Sequence, residues 1–233
     1  MKSRLHRRVP AAAGGAVLCG FAALMSCPVA GAAEGDSRWS ARLGFARVSF
    51  DTDATLAVAG APAPGAAVAI DDQTVLLGDA GFAFSERWSA RVALGSPVDL
   101  RVDSAGSLRA LAPPLTGTLG EIQIAPVIVT SLFVPRSFGR LRPYVGAGVA
   151  YAWVREAEGS DVQALDATSE WGFVVQAGCD ARLGQRWSVF VDARKLFVDT
   201  SVSGVIAPLG GVPVTATVSL DPLVLNAGVG YRF

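Results

Sequence analysis

Histidine is almost missing from this chain: its one copy, His6, stands near the start. Everything beyond residue 33 lacks the imidazole that a Ser-His couple or a His-ligated metal site requires, so no catalytic residue, metal site or cofactor is expected. Cysteine is scarce, at Cys19, Cys27 and Cys179 only. Charged residues make up 17% of the sequence with 20 of each sign, which offers nucleic acid no basic surplus to bind. Also missing, outside the first 33 residues, is any uninterrupted apolar run of the roughly 20 residues that a membrane-spanning helix needs. Yet 51% of the residues are hydrophobic, which is greasy for a soluble domain. The apolar residues must be dispersed.

The first 33 residues form a unit of their own. Lys2, Arg4, Arg7 and Arg8 precede an apolar run from Ala11 to Ala30, and Ala30, Gly31, Ala32 and Ala33 follow as small residues. That is the layout of a secretory signal peptide, with cleavage expected after Ala32 or Ala33. A retained anchor fits less well, because Gly14, Gly15, Gly20 and Pro28 break the run, and Met25 suits a lipobox ending at Cys27 poorly. Cleavage would remove four of the 20 basic residues, leaving 16 against 20 acidic ones, a net charge of about −4. Cys179 would then be a lone thiol with no internal disulfide partner.

What the remaining chain has in abundance is alternation. Near the C-terminus Leu223, Leu225, Ala227, Val229, Tyr231 and Phe233 fall on one face, with Val224, Asn226, Gly228, Gly230 and Arg232 on the other. A period of two residues is the mark of a strand, and an apolar strip ending in Tyr and Phe suits a lipid interface. The pattern recurs from Trp39, from Thr74 to Phe84, from Arg87 to Gly95, from Thr118 to Val134, through Tyr144 to Trp153, from Trp171 and from Trp187. In the Thr118 to Val134 stretch, apolar residues occupy both faces. Its outward side is read as Ile122, Ile124, Pro126, Ile128 and Leu132.

Eight strands joined by alternately long and short connections predict an all-β fold, an eight-stranded antiparallel transmembrane β-barrel of up-and-down topology occupying residues 34–233. Loops rich in Ala, Gly and Pro near 51–72, 96–114, 156–168 and 203–213 are expected outside the cell, with both chain ends in the periplasm. A secreted lipocalin-like barrel would place its large apolar residues inside. Here the apolar face is continuous and the opposite face carries Gly, Ser, Arg and Asp.

Four segments carry a resemblance to a known family. RPYVGAGVAY (Arg142 to Tyr151), WGFVVQAGCDARL (Trp171 to Leu183), RWSVFVDARKLFVDT (Arg186 to Thr200) and DPLVLNAGVGYRF (Asp221 to Phe233) resemble the OmpW family of small outer-membrane barrels. The likeness spans nearly all of the mature chain and weakens in the outer loops and from Ile122 to Val134. It implies an integral protein of a Gram-negative outer membrane, associated with passage of small hydrophobic molecules. It further implies lateral release through a proline-associated break in the wall, and Pro126, which cannot donate to the strand ladder, is the position that resembles it.

The inward residues sort by height. An apolar outer lumen is expected at Val75, Leu77, Val174, Leu196 and Val224. Beneath it a charged floor is expected at Arg42, Asp79, Arg91, Arg142, Asp180, Arg182 and Arg232, with Asp192 and Arg194 near mid-height. Both signs are present, so the charges can pair, as burial demands. The expected partners are outer-membrane lipids and lipopolysaccharide, small hydrophobic solutes, and the barrel-assembly machinery through the strand ending in Phe233; nucleic acid is not among them. A structural or receptor-type barrel with a plugged lumen and no transport is the competing reading.

Overall fold

The structure is a computed structural model that describes residues 38–51, 53–58, 60–62, 65–107, 118–159, 162–206 and 210–233. The leader expected over residues 1–33 lies outside them. Among the described residues fifteen strands run in chain order: β1 (Trp39–Ser49), β2 (Asp53–Val58), β3 (Ala61–Pro62), β4 (Ala66–Ile70), β5 (Gln73–Ala83), β6 (Trp88–Gly95), β7 (Val98–Gly106), β8 (Thr118–Phe133), β9 (Leu141–Gly159), β10 (Val162–Ala167), β11 (Glu170–Arg182), β12 (Trp187–Phe197), β13 (Asp199–Ile206), β14 (Val212–Ser219) and β15 (Leu223–Arg232).

Eight of them close a barrel. The order is β1, β5, β6, β8, β9, β11, β12, β15 and back to β1, each pair antiparallel. Closure gives each of the eight strands a partner on both sides, which is the condition for backbone in a hydrocarbon layer. Alternation sets the two faces. Phe45, Val92, Val129, Phe173, Val191 and Leu225 point outward and are exposed, while Ala46, Leu77, Ala93, Ile128, Val174 and Val224 are buried inside. Exposed aromatics gather near both strand ends, with Trp39, Trp88, Trp187 and Phe233 at the short-turn end and Trp153, Trp171 and Phe197 towards the other. Such paired girdles mark the two membrane interfaces.

The long connections differ from the sequence reading, which took them as irregular loops. They contain β2, β3 and β4 within 51–72, β7 within 96–114, the end of β9 with β10 within 156–168, and the facing ends of β13 and β14 within 203–213. The physical reason is register. The ladder of β12 with β15 continues in the same register as β13 with β14, and that of β1 with β15 as β2 with β14, so these hairpins extend past the barrel proper. Short Ala, Val and Thr runs suffice for strand once a neighbouring hairpin already holds the pairing. These strands form a second tier with its own core of Val68, Leu119, Val162, Ile206, Val214, Val218 and Leu220.

Strand β8 corrects a second reading. Its inward residues are Ile122, Ile128, Thr130 and Leu132, all under 9% exposed, whereas Val129 faces outward. With apolar residues on both faces the sequence left parity open, and cross-strand pairing decides it: Val129 stands between Val92 and Val149, both lipid-facing.

Close strand contact also explains the inward glycines. A Cβ on Gly148 would lie 1.9 Å from the Val129 carbonyl oxygen and 2.7 Å from Thr130 Cα. Those are backbone atoms, so the strands must move apart to admit it. Gly148→Ala is expected to destabilise the barrel by about 1–3 kcal/mol, seen as a lower urea midpoint in the heat-sensitive gel mobility of the refolded protein.

Candidate functional site: a stratified lumen

The lumen is built in layers. In the lower half Arg42, Asp79, Arg91, Asp192 and Arg194 are buried, each on the inward face of β1, β5, β6 or β12. Arg194 is the centre: its Nη2 donates to Asp79 at 2.8 and 3.1 Å and to Asp192 at 3.3 Å, and it is 1% exposed. Asp192 also accepts from the Tyr144 hydroxyl at 3.1 Å and from Gln176 Nε2 at 3.0 Å. Arg42 pairs with Asp180, donates to the Tyr144 hydroxyl at 2.9 Å and lies over the Phe190 ring. Arg91 stands over the Tyr144 ring, 5.5 Å from its centroid. Aromatic faces and carboxylates thus share the neutralisation of the three arginines.

The seven floor residues read from the sequence fall into two groups. Arg42, Asp79, Arg91 and Asp180 belong to this network. Arg142, Arg182 and Arg232 are half-buried at the short-turn rim, outside its ion pairs, with Arg142 donating to the Glu86 carbonyl at 2.9 Å. Asp192 and Arg194, expected near mid-height, turn out to be its hub.

Above this plug the wall is apolar. Val75, Leu77, Val174, Leu196 and Val224 lie together in one buried cluster with Ala46, Ala93, Ile128, Ala150 and Val198. Higher still, the second tier lines an apolar pocket that is partly open to solvent. Leu100, Leu119, Ile122, Val162, Val218 and Leu220 are among its walls, and among the described residues Thr200 and Ser203 are the only side chains there with a polar atom. Sequence reading missed this chamber, because Val68, Ile70, Leu100, Val102, Val162 and Ser203 come from segments taken as loops and Ile122 and Ile124 from a face read as outward.

One place in the wall is unlaced. The β5–β6 ladder ends with Leu77 opposite Gly95 and a bond from Ser96 N to Leu76 O, and pairing resumes only at Ile70 opposite Val102. Between them no backbone pairing joins residues 71–75 to residues 97–101. The register puts Pro97 opposite Val75, and proline has no N–H to donate. Pro126 lies beside this interruption, between the β6–β8 pairing that ends at Val127 and the β7–β8 pairing that starts at Ile124. It shares the inward face of Ile128 and keeps its pairing position opposite Ala152 on β9, so it faces away from lipid, contrary to the sequence reading. At the upper end of β5, Arg47 and Ser49 bond to Asp72 at 3.0 Å each, and these contacts hold its carboxyl below the usual range.

Comparison with known proteins matches the OmpW family model over residues 34–233. The dibenzothiophene metabolism operon protein PahQ of Pseudomonas aeruginosa is 31% identical over 198 residues, 85% of this chain and 90% of that protein. The outer membrane protein AlkL of Ectopseudomonas oleovorans is 29% identical over 205 residues, 88% of this chain and 85% of its own length. The solid-state NMR structure of AlkL in lipid bilayers superposes with a TM-score of 0.67 at 28% identity, covering 88% of this chain and 94% of that one. The crystal structure of OprG from Pseudomonas aeruginosa shares the fold at a TM-score of 0.76 and 23% identity, covering 84% and 96%.

Proposed function

The chain belongs to the OmpW family and is an integral outer-membrane β-barrel, and on that premise we propose that it admits small hydrophobic molecules and releases them sideways into the membrane. The observation that carries the reading is the apolar pocket of the second tier standing over a lumen plugged by ion pairs. An apolar solute gains about 25 cal/mol for each Å² it hides from water against such walls, and the lining favours an apolar molecule over a polar one. Crossing the plug would require breaking buried charge pairs, so the way down is closed. We take the exit to be the unlaced stretch between residues 71–75 and 97–101, since Leu100 belongs both to that stretch and to the chamber wall. This moves the proline of interest to Pro97, with Pro126 as its neighbour. The second tier and its chamber would face outward from the cell, and the ends of the chain inward.

The similarity to PahQ supports the solute class, because that protein is named for an operon of dibenzothiophene metabolism, and dibenzothiophene is a fused apolar ring system. The reading is one of passage and assigns no catalysis to the chain. Uptake of a fused-ring aromatic and of a small sugar, measured in cells with and without the barrel, tests it. Faster aromatic uptake with unchanged sugar uptake is the expected result. A faster sugar would mean a water-filled pore, and no change in either would favour a structural or receptor-type barrel. For the exit, Val75→Cys with Val98→Cys places two thiols on the inward face, one on each side of the gap. Oxidation is expected to return aromatic uptake to the level of cells lacking the barrel, and reduction to restore it; uptake indifferent to a formed cross-link would overturn the sideways route.

A further inference from the structure

Half of the basic residues beyond residue 33 sit at one end of the barrel. Arg38, Arg87, Arg136, Arg140, Arg142, Arg182, Arg186 and Arg232 lie at or beside the ends of the eight barrel strands on the short-turn side. Among the described residues Glu86 is the one exposed acid there, since Asp180 is turned inward and paired with Arg42. None of the eight arginines forms an ion pair among the described residues.

Four of these arginines are built in alike. Arg38, Arg87, Arg140 and Arg186 each immediately precede one of the four strands that leave this rim, β1, β6, β9 and β12. Each backbone carbonyl accepts a hydrogen bond from the strand that returns alongside: from Ala83 N at 2.8 Å, Val134 N at 2.8 Å, Arg182 N at 2.9 Å and Arg232 N at 2.9 Å. The backbone is pinned and the exposed guanidinium is free of protein anions. A large apolar residue follows each time, in three cases within the repeated triplet Arg-Trp-Ser: Trp39, Trp88, Leu141 and Trp187. The three tryptophans pack on an aromatic of the returning strand, Trp39 on Phe82 at 5.0 Å, Trp88 on Phe133 at 4.9 Å and Trp187 on Tyr231 at 5.0 Å.

A tryptophan of the girdle marks the depth of lipid headgroups, and an arginine one residue beyond it lies at the depth of the phosphates. We propose that these four repeats form a ring of binding sites for the phosphates of anionic glycerophospholipids, in the leaflet that meets the short-turn end of the barrel. The guanidinium fork engages two phosphate oxygens and the neighbouring ring or leucine covers the upper acyl chain. Chemistry separates this partner from neutral lipid: a zwitterionic headgroup brings its own cation to the phosphate and leaves the arginines repelling one another.

The experiment uses the full barrel refolded into bilayers of phosphatidylcholine and phosphatidylglycerol, one of them brominated, with Trp153→Phe and Trp171→Phe so that fluorescence reports the short-turn rim. Quenching then gives the relative affinity of the two lipids for that rim. About fivefold preference for phosphatidylglycerol at low salt is expected, shrinking in 1 M salt. Replacing Arg38, Arg87, Arg140 and Arg186 together by Gln is expected to abolish the preference, and replacing them by Lys to keep most of it. Should the fourfold Gln variant fail to fold, as judged by gel mobility, Arg87→Gln and Arg186→Gln singly should each reduce the preference. Equal affinity for the two lipids in the parent barrel would overturn the proposal, as would a preference untouched by the Gln replacements. So would a rim that shows no lipid preference and instead retains acidic peptidoglycan fragments.

Discussion

Replacing Arg194 by alanine is expected to destabilise the barrel by about 3–5 kcal/mol, the largest single effect in the molecule. The guanidinium is 1% exposed and its loss leaves Asp79 without its cation in a lumen where both Asp79 and Asp192 are buried. An uncompensated carboxylate at such a place costs far more than the pair contributes, because the desolvation penalty remains after the attraction is gone. Asp192 suffers less, since Tyr144 and Gln176 still donate to it at 3.1 and 3.0 Å. Removing both main partners, by Arg194→Met with Asp79→Leu, is therefore expected to recover most of the loss. Urea titration of the refolded barrel, followed by gel mobility, reads both variants. An Arg194→Ala barrel as stable as the parent would mean that the carboxylates are hydrated, and with that the lumen would no longer count as closed.

Placing a charge in the chamber is expected to have the largest effect on passage. Ile122 is 8% exposed and lines the cavity on the inward face of β8. A fused-ring solute that buries an area comparable to an aromatic side chain, about 150–250 Å², gains about 4–6 kcal/mol in the chamber. An aspartate at position 122 would have to give up its water to admit that solute, at a cost of several kcal/mol, enough to cancel most of the gain. Ile122→Asp is thus expected to lower aromatic uptake about tenfold or more, while Ile122→Ala, which enlarges the chamber and keeps it apolar, is expected to leave uptake close to the parent's. Equal loss in both variants would show that Ile122 matters to the fold and not to the solute.

Much of the barrel was legible in the residues. Arg42, Asp79, Leu77, Val174, Arg194 and Val224 were assigned inward by parity alone, and the structure puts each of them inside. Parity is decisive there because one face of each strand is almost wholly apolar and the other mixes apolar residues with Gly and polar or charged ones. It failed on β8, where Ile122 and Ile128 look as lipid-ready as Val127 and Val129. It failed also over Ala66–Ile70, Val98–Gly106 and Val212–Ser219, whose short runs of Ala, Val and Thr among Gly and Pro resemble linker more than wall.

The sequence by itself determined a closed barrel with an apolar outside and a lumen of both charge signs, because alternation is a local property that each strand carries alone. Only the tertiary structure decided which carboxylate answers which arginine, since Arg194 meets Asp79 across 115 positions of chain. The same holds for the second tier, whose strands exist because the barrel hairpins hand them their register. It holds for the unlaced stretch as well. Pro97 is an ordinary loop proline until the register of β5 with β6 sets it opposite Val75, and pairing between neighbours is a property of two strands that no single stretch of sequence contains.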